Sequence, residues 1–293
     1  MKNIYEQISE NKLRSTVIIS FFIAFIFAVA YLITISFNLD NSILIIAVIF
    51  SLGSSLVGYF KGDQIVLAIN KARPVTKEEF FNFYTVVENL SIANQTPVPK
   101  IYVIDSEAPN AFATGRDPDH AAVCATIGLL KKLNRTELEA VMAHELSHIK
   151  NYDIRLMTLV SVLVGTLTIL INTATRSTFF KSNDDNNKSS GILTIIGFIL
   201  IIFSPIIAQI IQLAISRRRE YFADASAVKL TRQPQGLIDA LTKISSDTSN
   251  LENASTATAS LYISNPFKGN KLASMFSTHP PIKDRIRVLQ EML

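Results

Sequence analysis

Four long runs of apolar residues divide the chain, and none of them contains a charged residue. They cover Thr16–Phe37, Ile43–Phe60, Leu156–Ala174 and Gly191–Ile215. A helix needs about 20 apolar residues to cross the hydrocarbon core of a bilayer, and all four runs come close to that length or exceed it. The pattern therefore predicts four transmembrane helices, separated by polar segments.

Two of these runs also allow another interpretation. The first could be a cleaved signal peptide, because Ala28-Val29-Ala30 matches a small-x-small cleavage pattern. Its apolar residues continue to Phe37 and a second run follows closely, which favours an uncleaved anchor. The third run is semi-polar, so a buried or surface-lying helix is its alternative. We expect two helical hairpins, the second joined by the loop Arg176–Ser190.

Basic residues cluster on one side of the predicted spans, which sets the expected orientation. Cytoplasmic flanks of membrane helices carry an excess of lysine and arginine. The relevant residues are Lys2, Lys12, Arg14, Lys61, Lys71, Arg73 and Arg217–Arg219. The predicted division is a membrane hairpin at 1–60, catalytic regions at 61–154 and 216–293, and a second hairpin at 155–215. Both termini and both catalytic regions are expected in the cytosol.

Composition supports a membrane protein and excludes some other classes. Hydrophobic residues make up 48% of the 293 residues and charged residues 18%, whereas soluble domains carry about a quarter charged residues. The net charge of +4 comes without a basic stripe interleaved with aromatic residues, so nucleic-acid binding is not expected. The single cysteine, Cys124, cannot form an intrachain disulfide, and its apolar neighbours predict strand core.

The segment between the second and third runs combines strands with a helix. Ile101–Ile104 and Ala121–Thr126 read as short strands. Asn134 followed by Glu137 resembles a capping box, and apolar residues then recur at helical spacing as far as Ile149. We therefore expect an α+β catalytic domain with a small sheet and an active-site helix.

The expected helix carries the residues His144-Glu145-Leu146-Ser147-His148. Positions i and i+4 share one face of a helix, so His144 and His148 can both bind one zinc ion. Glu145 lies beside them and can act as general base toward the attacking water. The alternative is a pair of ordinary histidines on a surface helix.

A catalytic zinc needs a third protein ligand, and Glu220 is the best candidate. Glu220 follows the fourth run directly, so a membrane hairpin would bring it to the same face as His148. Asp224, one helical turn later, could hold a ligand histidine through its second ring nitrogen. The alternative is that Glu220 and Asp224 form a solvated charge cluster with the preceding arginines. His120 lies in a turn beside Asp119 and is not expected to bind metal.

Several segments together resemble the HtpX family of membrane-bound zinc endopeptidases. They are His144–His148, Arg219–Asp224, Asn110–Gly115 and Ser277–Pro281, in an order of spans that matches nearly the whole chain. The resemblance implies a gluzincin, zincin-like domain with one Zn²⁺ per subunit. It also implies His144, His148 and Glu220 as ligands, Glu145 as the catalytic residue, a bacterial inner-membrane location, and degradation of misfolded membrane proteins under stress.

The same resemblance places other residues around the site. Asn110, Ala111, Phe112 and Ala113 would line the substrate cleft as an edge strand that pairs with an extended peptide, or else form a turn. His279 and Arg285 would stabilise the oxyanion, although His279-Pro280-Pro281 could equally be a helix start. Ser245–Ser260 predicts a mobile loop, either a lid or an idle loop.

Two other functions fit the motif less well. A dedicated processing protease of the CAAX prenyl protease type shares the metal motif, but such relatives carry more than four spans. A non-catalytic zinc-binding membrane scaffold would keep the ligands, but it would have no need of Glu145. Polypeptide substrates and a lipid bilayer are the expected partners.

Overall fold

The computed structural model describes residues 4–37, 40–180, 217–251, 255, 257–267 and 280–293. Its helices are α1 (Ile4–Phe37), α2 (Ser42–Ile69), α3 (Phe81–Asn94), α4 (Ile127–Lys132), α5 (Arg135–Lys150), α6 (Asp153–Phe180), α7 (Arg217–Thr231), α8 (Pro234–Ser246) and α9 (Ile282–Gln290). Its strands are β1 (Arg73–Pro74), β2 (Lys100–Ile104), β3 (Ala111–Gly115) and β4 (Ala121–Thr126).

Helices α1 and α2 are the two clear candidates for membrane spans. Each contains a stretch long and apolar enough to cross a bilayer, at Ser9–Tyr31 and Ser42–Ile69. Both expose large apolar side chains such as Ile35, Ile46 and Ile49, as expected of a surface that faces lipid. The first two predicted spans therefore form helices that are candidate spans by length and composition, although α2 ends at Ile69 rather than at Phe60.

The third predicted span is supported by the structure only in combination with the preceding helix. Helix α6 meets the criteria for a span only together with α5, across a bend of 83°. Its first turns are apolar because they pack inside the protein, where Ile154, Leu156 and Leu159 are fully buried. The described residues thus contain two candidate spans, or three if the bent pair counts as one. The fourth predicted run, Gly191–Ile215, lies outside the described residues.

Close packing joins α6 to α2 near the expected membrane surface. A Cβ atom added at Gly62 would lie only 2.8 Å from Cγ2 of Thr158. The hydroxyl of Thr158 in turn accepts a hydrogen bond from the amide of Gly115 on β3, at 3.0 Å. Helix α6, packed against α2, therefore docks directly onto the sheet that flanks the site.

The sheet has four strands in the order β1-β2-β4-β3. β2 and β4 are parallel, whereas β1 and β3 pair antiparallel with β2 and β4 respectively. Both predicted strands are confirmed, and Cys124 is buried in β4, where burial raises the pKa of its thiol. β3 is an edge strand, so the alternative of a turn at Ala111–Gly115 is wrong.

Helix α5 crosses the core against the sheet, α3 and α8. The predicted capping box starts it, because Asn134 and Glu137 each bond the other's backbone amide at 2.9 Å. From Glu137 to Ile149 nearly every residue is buried. A helix buried on several faces has no strong amphipathic stripe, so its position follows from the cap and the surrounding elements.

The predicted mobile loop at Ser245–Ser260 makes specific contacts where it is described. Ser245 and Ser246 complete α8, and Thr258 is fully buried with its hydroxyl 3.1 Å from Oδ1 of Asn70. Its small polar residues look featureless in sequence, but they pack against the end of α2. Residues 252–254 and 256 lie outside the described residues.

Candidate active site

The two histidines of α5 point their Nε2 atoms at each other, 3.2 Å apart. One turn of helix separates them, and both side chains are buried. Glu220, from the first turn of α7, brings its carboxylate oxygens to 3.6 Å from Nε2 of His144 and 3.5 Å from Nε2 of His148. Three ligand-type atoms from distant parts of the chain therefore converge on one point.

This spacing fits zinc. Bonds of about 2.0–2.1 Å in a tetrahedral site place neighbouring donor atoms about 3.3 Å apart. The two Nε2 atoms are 3.2 Å apart, and each has a different oxygen of Glu220 at 3.5 or 3.6 Å. Two imidazoles and one carboxylate are a common catalytic zinc set that leaves a fourth position open. The donor set and its geometry are therefore compatible with one zinc ion.

Glu145 follows His144 on α5 and is buried beside the ligand cluster. The side chains of His144, Glu145, His148 and Glu220 all lie in the interior, with exposed fractions of 1–4%. Low exposure strengthens the electrostatic interactions within the site.

A buried carboxylate orients His144 through Nδ1, the ring nitrogen that does not face the ligand cluster. Nδ1 of His144 lies 2.9 Å from Oδ1 of Asp224, one turn after Glu220 on α7. This is the contact expected from the sequence. Burial and the charge of Arg285 lower the pKa of His144, but the hydrogen bonds to Asp224 and Glu220 outweigh them and raise it to about 9.

Arg285 on α9 holds Asp224 in place with two charge-assisted hydrogen bonds. Its Nε and Nη2 atoms donate to the two oxygens of Asp224 at 2.8 and 2.6 Å, and its Nη1 donates to the carbonyl of Ile263 at 3.2 Å. Burial raises the pKa of Asp224, but the charge of Arg285 and the hydrogen bond from His144 lower it to about 2. His279 lies outside the described residues.

A second carboxylate, Asp153, orients His148 in the same way. Nδ1 of His148 lies 3.0 Å from Oδ2 of Asp153. Asp153 was assigned no role from the sequence. The one available signal was an aspartate five residues after a ligand histidine. Its relevance depends on the 83° bend at Tyr152, where φ is +60°.

The outer edge of β3 is partly filled by the chain itself. Asn110 donates its side-chain amide to the carbonyl of Ser264 at 2.8 Å, and the amide of Ile263 donates to the carbonyl of Ala111 at 2.9 Å. Phe112 lies opposite Cys124 of β4 in the sheet. Its ring packs against that of Tyr262, with centroids 5.0 Å apart. Ala113 faces outward, and no partner within the described chain bonds its amide or carbonyl.

Of the other histidines, only His120 lies within the described residues. It is exposed in the turn before β4, with Nδ1 2.7 Å from Oδ1 of Asp117. The structure thus brings together His144, His148, Glu220, Glu145, Asp224 and Arg285, all of which the sequence singled out.

Comparison with known proteins identifies the family. The model for peptidase family M48 matches residues 81–293. A protease HtpX homolog of Dictyoglomus turgidum is 47% identical over 289 residues, covering 98% of this chain and 94% of the relative. Another, from Ligilactobacillus salivarius, is 40% identical and covers 99% and 100% of the two chains.

Among solved structures, Ste24p of S. mikatae is similar at 23% sequence identity and a TM-score of 0.49, covering 97% of this chain and 66% of that one. Because the family model spans most of the chain and the HtpX homologs align along nearly all of it, this chain belongs to peptidase family M48 and, within it, to the HtpX family of membrane zinc metalloproteases.

Proposed function

We propose that this metalloprotease is an endopeptidase that cleaves misfolded or damaged membrane proteins, with His144, His148 and Glu220 as its zinc ligands. The observation that carries the ligand assignment is the convergence of the three groups, with each histidine backed by its own carboxylate. A histidine held in this way presents a fixed tautomer and a more basic ring nitrogen to the metal. The damaged-protein substrates rest on the resemblance to HtpX proteases.

In the proposed mechanism, Glu145 accepts a proton from the water that attacks the peptide carbonyl and then donates it to the leaving amine. Zinc, when bound, supplies Lewis acidity that polarises the carbonyl and makes water acidic near neutral pH. Asp224 and Asp153 keep the two imidazoles oriented, and Arg285 fixes Asp224. Three of the five N–H donors of Arg285 are engaged with Asp224 and Ile263, which supports a positioning role for this residue.

The extended substrate is proposed to pair with the outward backbone of Ala113. β3 is an edge strand with buried side chains, and a strand edge with unpaired backbone groups can bind a peptide by adding a strand to the sheet. Ile263 occupies the carbonyl of Ala111 and the hydroxyl of Thr158 binds the amide of Gly115, so Ala113 lies between two occupied positions. Of the four residues expected to bind substrate, Asn110–Ala113, we therefore propose Ala113 as the main one whose backbone forms hydrogen bonds with the peptide.

The function is tested by purifying the full chain in detergent, measuring zinc content and following cleavage of casein. We expect chelator-sensitive cleavage by the wild type, whereas Glu145→Gln keeps its zinc and loses cleavage. Glu139→Gln, on the same helix in an exposed ion pair with Arg135, is the matched control and should cleave normally. Cleavage by Glu145→Gln would contradict the assigned role.

The alternatives are less well supported. A non-catalytic zinc scaffold disagrees with membership of a peptidase family, and a dedicated processing protease is disfavoured because the relatives aligned along nearly the whole chain are HtpX homologs. Failure to cleave casein, with efficient cleavage of a single prenylated peptide, would favour the processing protease instead.

We also propose that the termini and both catalytic regions lie in the cytosol, with the chain divided at the boundaries expected from sequence. The lysine and arginine bias supports this orientation. So does a contact between Asn11, at the start of the first span, and Asp153 beside the site, because it puts that end of α1 on the catalytic side. A reporter active only outside the cytosol should work at residue 185 and fail after residue 293. The reverse result would invert the topology.

A further inference from the structure

Asn11 is a buried polar residue at the start of an apolar membrane helix. Its side chain is 4% exposed, and its amide nitrogen donates to Oδ1 of Asp153 at 2.8 Å and to the carbonyl of Asn151 at 3.0 Å. An amide buried without partners costs free energy, but here three partners satisfy it. The third is Arg219, which donates to Oδ1 of Asn11 at 3.2 Å.

These contacts connect Asn11 to a zinc ligand through a single residue. Asp153 uses Oδ1 for Asn11 and Oδ2 for Nδ1 of His148. The Nε2 atom of the same imidazole is the one that faces Glu220. The path from the membrane helix to the metal position therefore runs from Asn11 through the carboxylate of Asp153 to the ring of His148.

The same amide also holds the bend that makes this path possible. Helices α5 and α6 meet at 83°, and Tyr152 between them adopts a left-handed conformation. Residues other than glycine rarely adopt this conformation, and it persists only where the surroundings enforce it. Asn11 bonds the residues on both sides of Tyr152, namely the carbonyl of Asn151 and the carboxylate of Asp153.

A carboxamide is suited to this position because it donates and accepts at once. Asn11 accepts from the buried guanidinium of Arg219 and donates to the carboxylate of Asp153, which lie 3.6 Å apart at their nearest atoms. A carboxylate at position 11 would accept from Arg219 but could not donate to Asp153. An alanine would do neither.

We propose that Asn11 is a positioning residue of the zinc site, so that the first membrane helix forms part of the metal centre. This inference rests on the proposed function, specifically on His148 as a ligand. Asn11 orients Asp153, Asp153 orients His148, and loss of Asn11 weakens the hold on zinc. Outer groups that orient a ligand histidine typically change metal affinity by about 10- to 100-fold.

The test uses the full chain in detergent, with Asn11→Ala and Asn11→Asp as variants. Zinc affinity is measured by competition with a chromophoric chelator, and ligand geometry by the visible spectrum of the cobalt-substituted protein. Both variants should bind zinc at least about 10-fold more weakly and show an altered cobalt spectrum. Wild-type affinity and spectrum in both variants would overturn the proposal.

A matched control separates positioning from general packing. Thr34 lies in the same helix, is buried, and bonds only the carbonyl of Ala30 among its described contacts. Thr34→Ala should leave zinc affinity and the cobalt spectrum unchanged. If it weakens zinc binding as much as Asn11→Ala does, any damage to α1 has that effect and the specific role of Asn11 is wrong.

A double-mutant cycle tests the route through Asp153. If Asn11 acts through that carboxylate, Asn11→Ala should cause no further loss of zinc affinity in an Asp153→Asn background. A full additional loss would overturn the route. His148→Ala separates the ligand assignment from this inference. Unchanged zinc affinity in His148→Ala would contradict both. Weaker zinc binding in His148→Ala, together with wild-type zinc affinity in the Asn11 variants, would contradict this inference alone.

Discussion

Nδ1 of His148 and Oδ2 of Asp153 lie 3.0 Å apart, although the two residues belong to helices that meet at 83°. The sharp bend turns the first residue of α6 back beneath the last turn of α5. His144 has the same arrangement with Asp224 on α7. Each proposed zinc ligand of α5 is thus held by a carboxylate from a different helix.

The first prediction concerns Asp153, the carboxylate that was not expected from sequence. Asp153→Asn keeps the shape of the side chain but removes the charge that makes His148 a more basic ligand. We expect zinc affinity to fall by about 10- to 100-fold, measured by chelator competition. Asp239→Asn is the control, since its described hydrogen bond goes to Gln235 on α8. Equal affinities for wild type and Asp153→Asn would contradict this role.

The second prediction concerns the ion pair of Arg285 with Asp224. Arg285 has no exposed surface, and removing one partner of a buried pair costs about 3–5 kcal/mol, because the other charge stays buried without compensation. Arg285→Met should therefore lower the Tm of the zinc-free chain markedly.

The matching double variant distinguishes stability from function at this pair. Arg285→Met combined with Asp224→Leu removes both charges, so the Tm should recover while zinc affinity stays low, because His144 has lost its carboxylate. A double variant no more stable than Arg285→Met alone would show that the pair is not the source of the lost stability.

The features of the site that lie within one helix could be predicted from the sequence. The contacts between residues distant in sequence could be predicted only in part. The capping box at Asn134 and the spacing of His144 and His148 are encoded within one helix. Glu220 could be predicted because membrane spans restrict where the chain returns. Asp153 could not, because its role depends on the left-handed turn at Tyr152, which hydrophobic periodicity does not reveal.

Other features of the fold could not be predicted from the sequence for a related physical reason. The start of α6 is apolar because it is buried against α2 and the sheet, and hydropathy cannot distinguish protein core from lipid. The carbonyl of Ala111 on β3 accepts a hydrogen bond from the amide of Ile263. Ile263 is distant in sequence, and no sequence pattern indicates that the two residues pair. The burial of Thr258 likewise depends on Asn70, at the far end of a membrane helix.

The third prediction follows from the pKa of His144, which its contacts with Asp224 and Glu220 raise to about 9. A raised histidine pKa stabilises the zinc-free fold fully below the unfolded value of about 6.5, and this contribution is lost as the pH rises through 9. Zinc binds only the neutral imidazole, so its affinity should increase over the same window.

Two measurements check this linkage. The Tm of the chelator-treated chain should fall between pH 6.5 and 9, while zinc affinity from competition titrations rises. His120→Ala serves as a control, because His120 is exposed and its side chain contacts Asp117 rather than a residue of the cluster. A zinc affinity that does not change with pH in this range would contradict a protonated His144 in the zinc-free protein.

The last prediction concerns Ala113, the outward-facing position on β3 that we propose pairs with substrate. Ala113→Pro removes the amide hydrogen, and proline is tolerated in edge strands where the amide points away from the sheet. We expect kcat/KM for casein to fall by about 10-fold, the loss of one hydrogen bond worth about 1.4 kcal/mol, while zinc content stays at the wild-type level. Ala113→Gly keeps the amide hydrogen and should retain most activity. If the proline variant cleaves casein as efficiently as the glycine variant, the substrate does not pair with this edge.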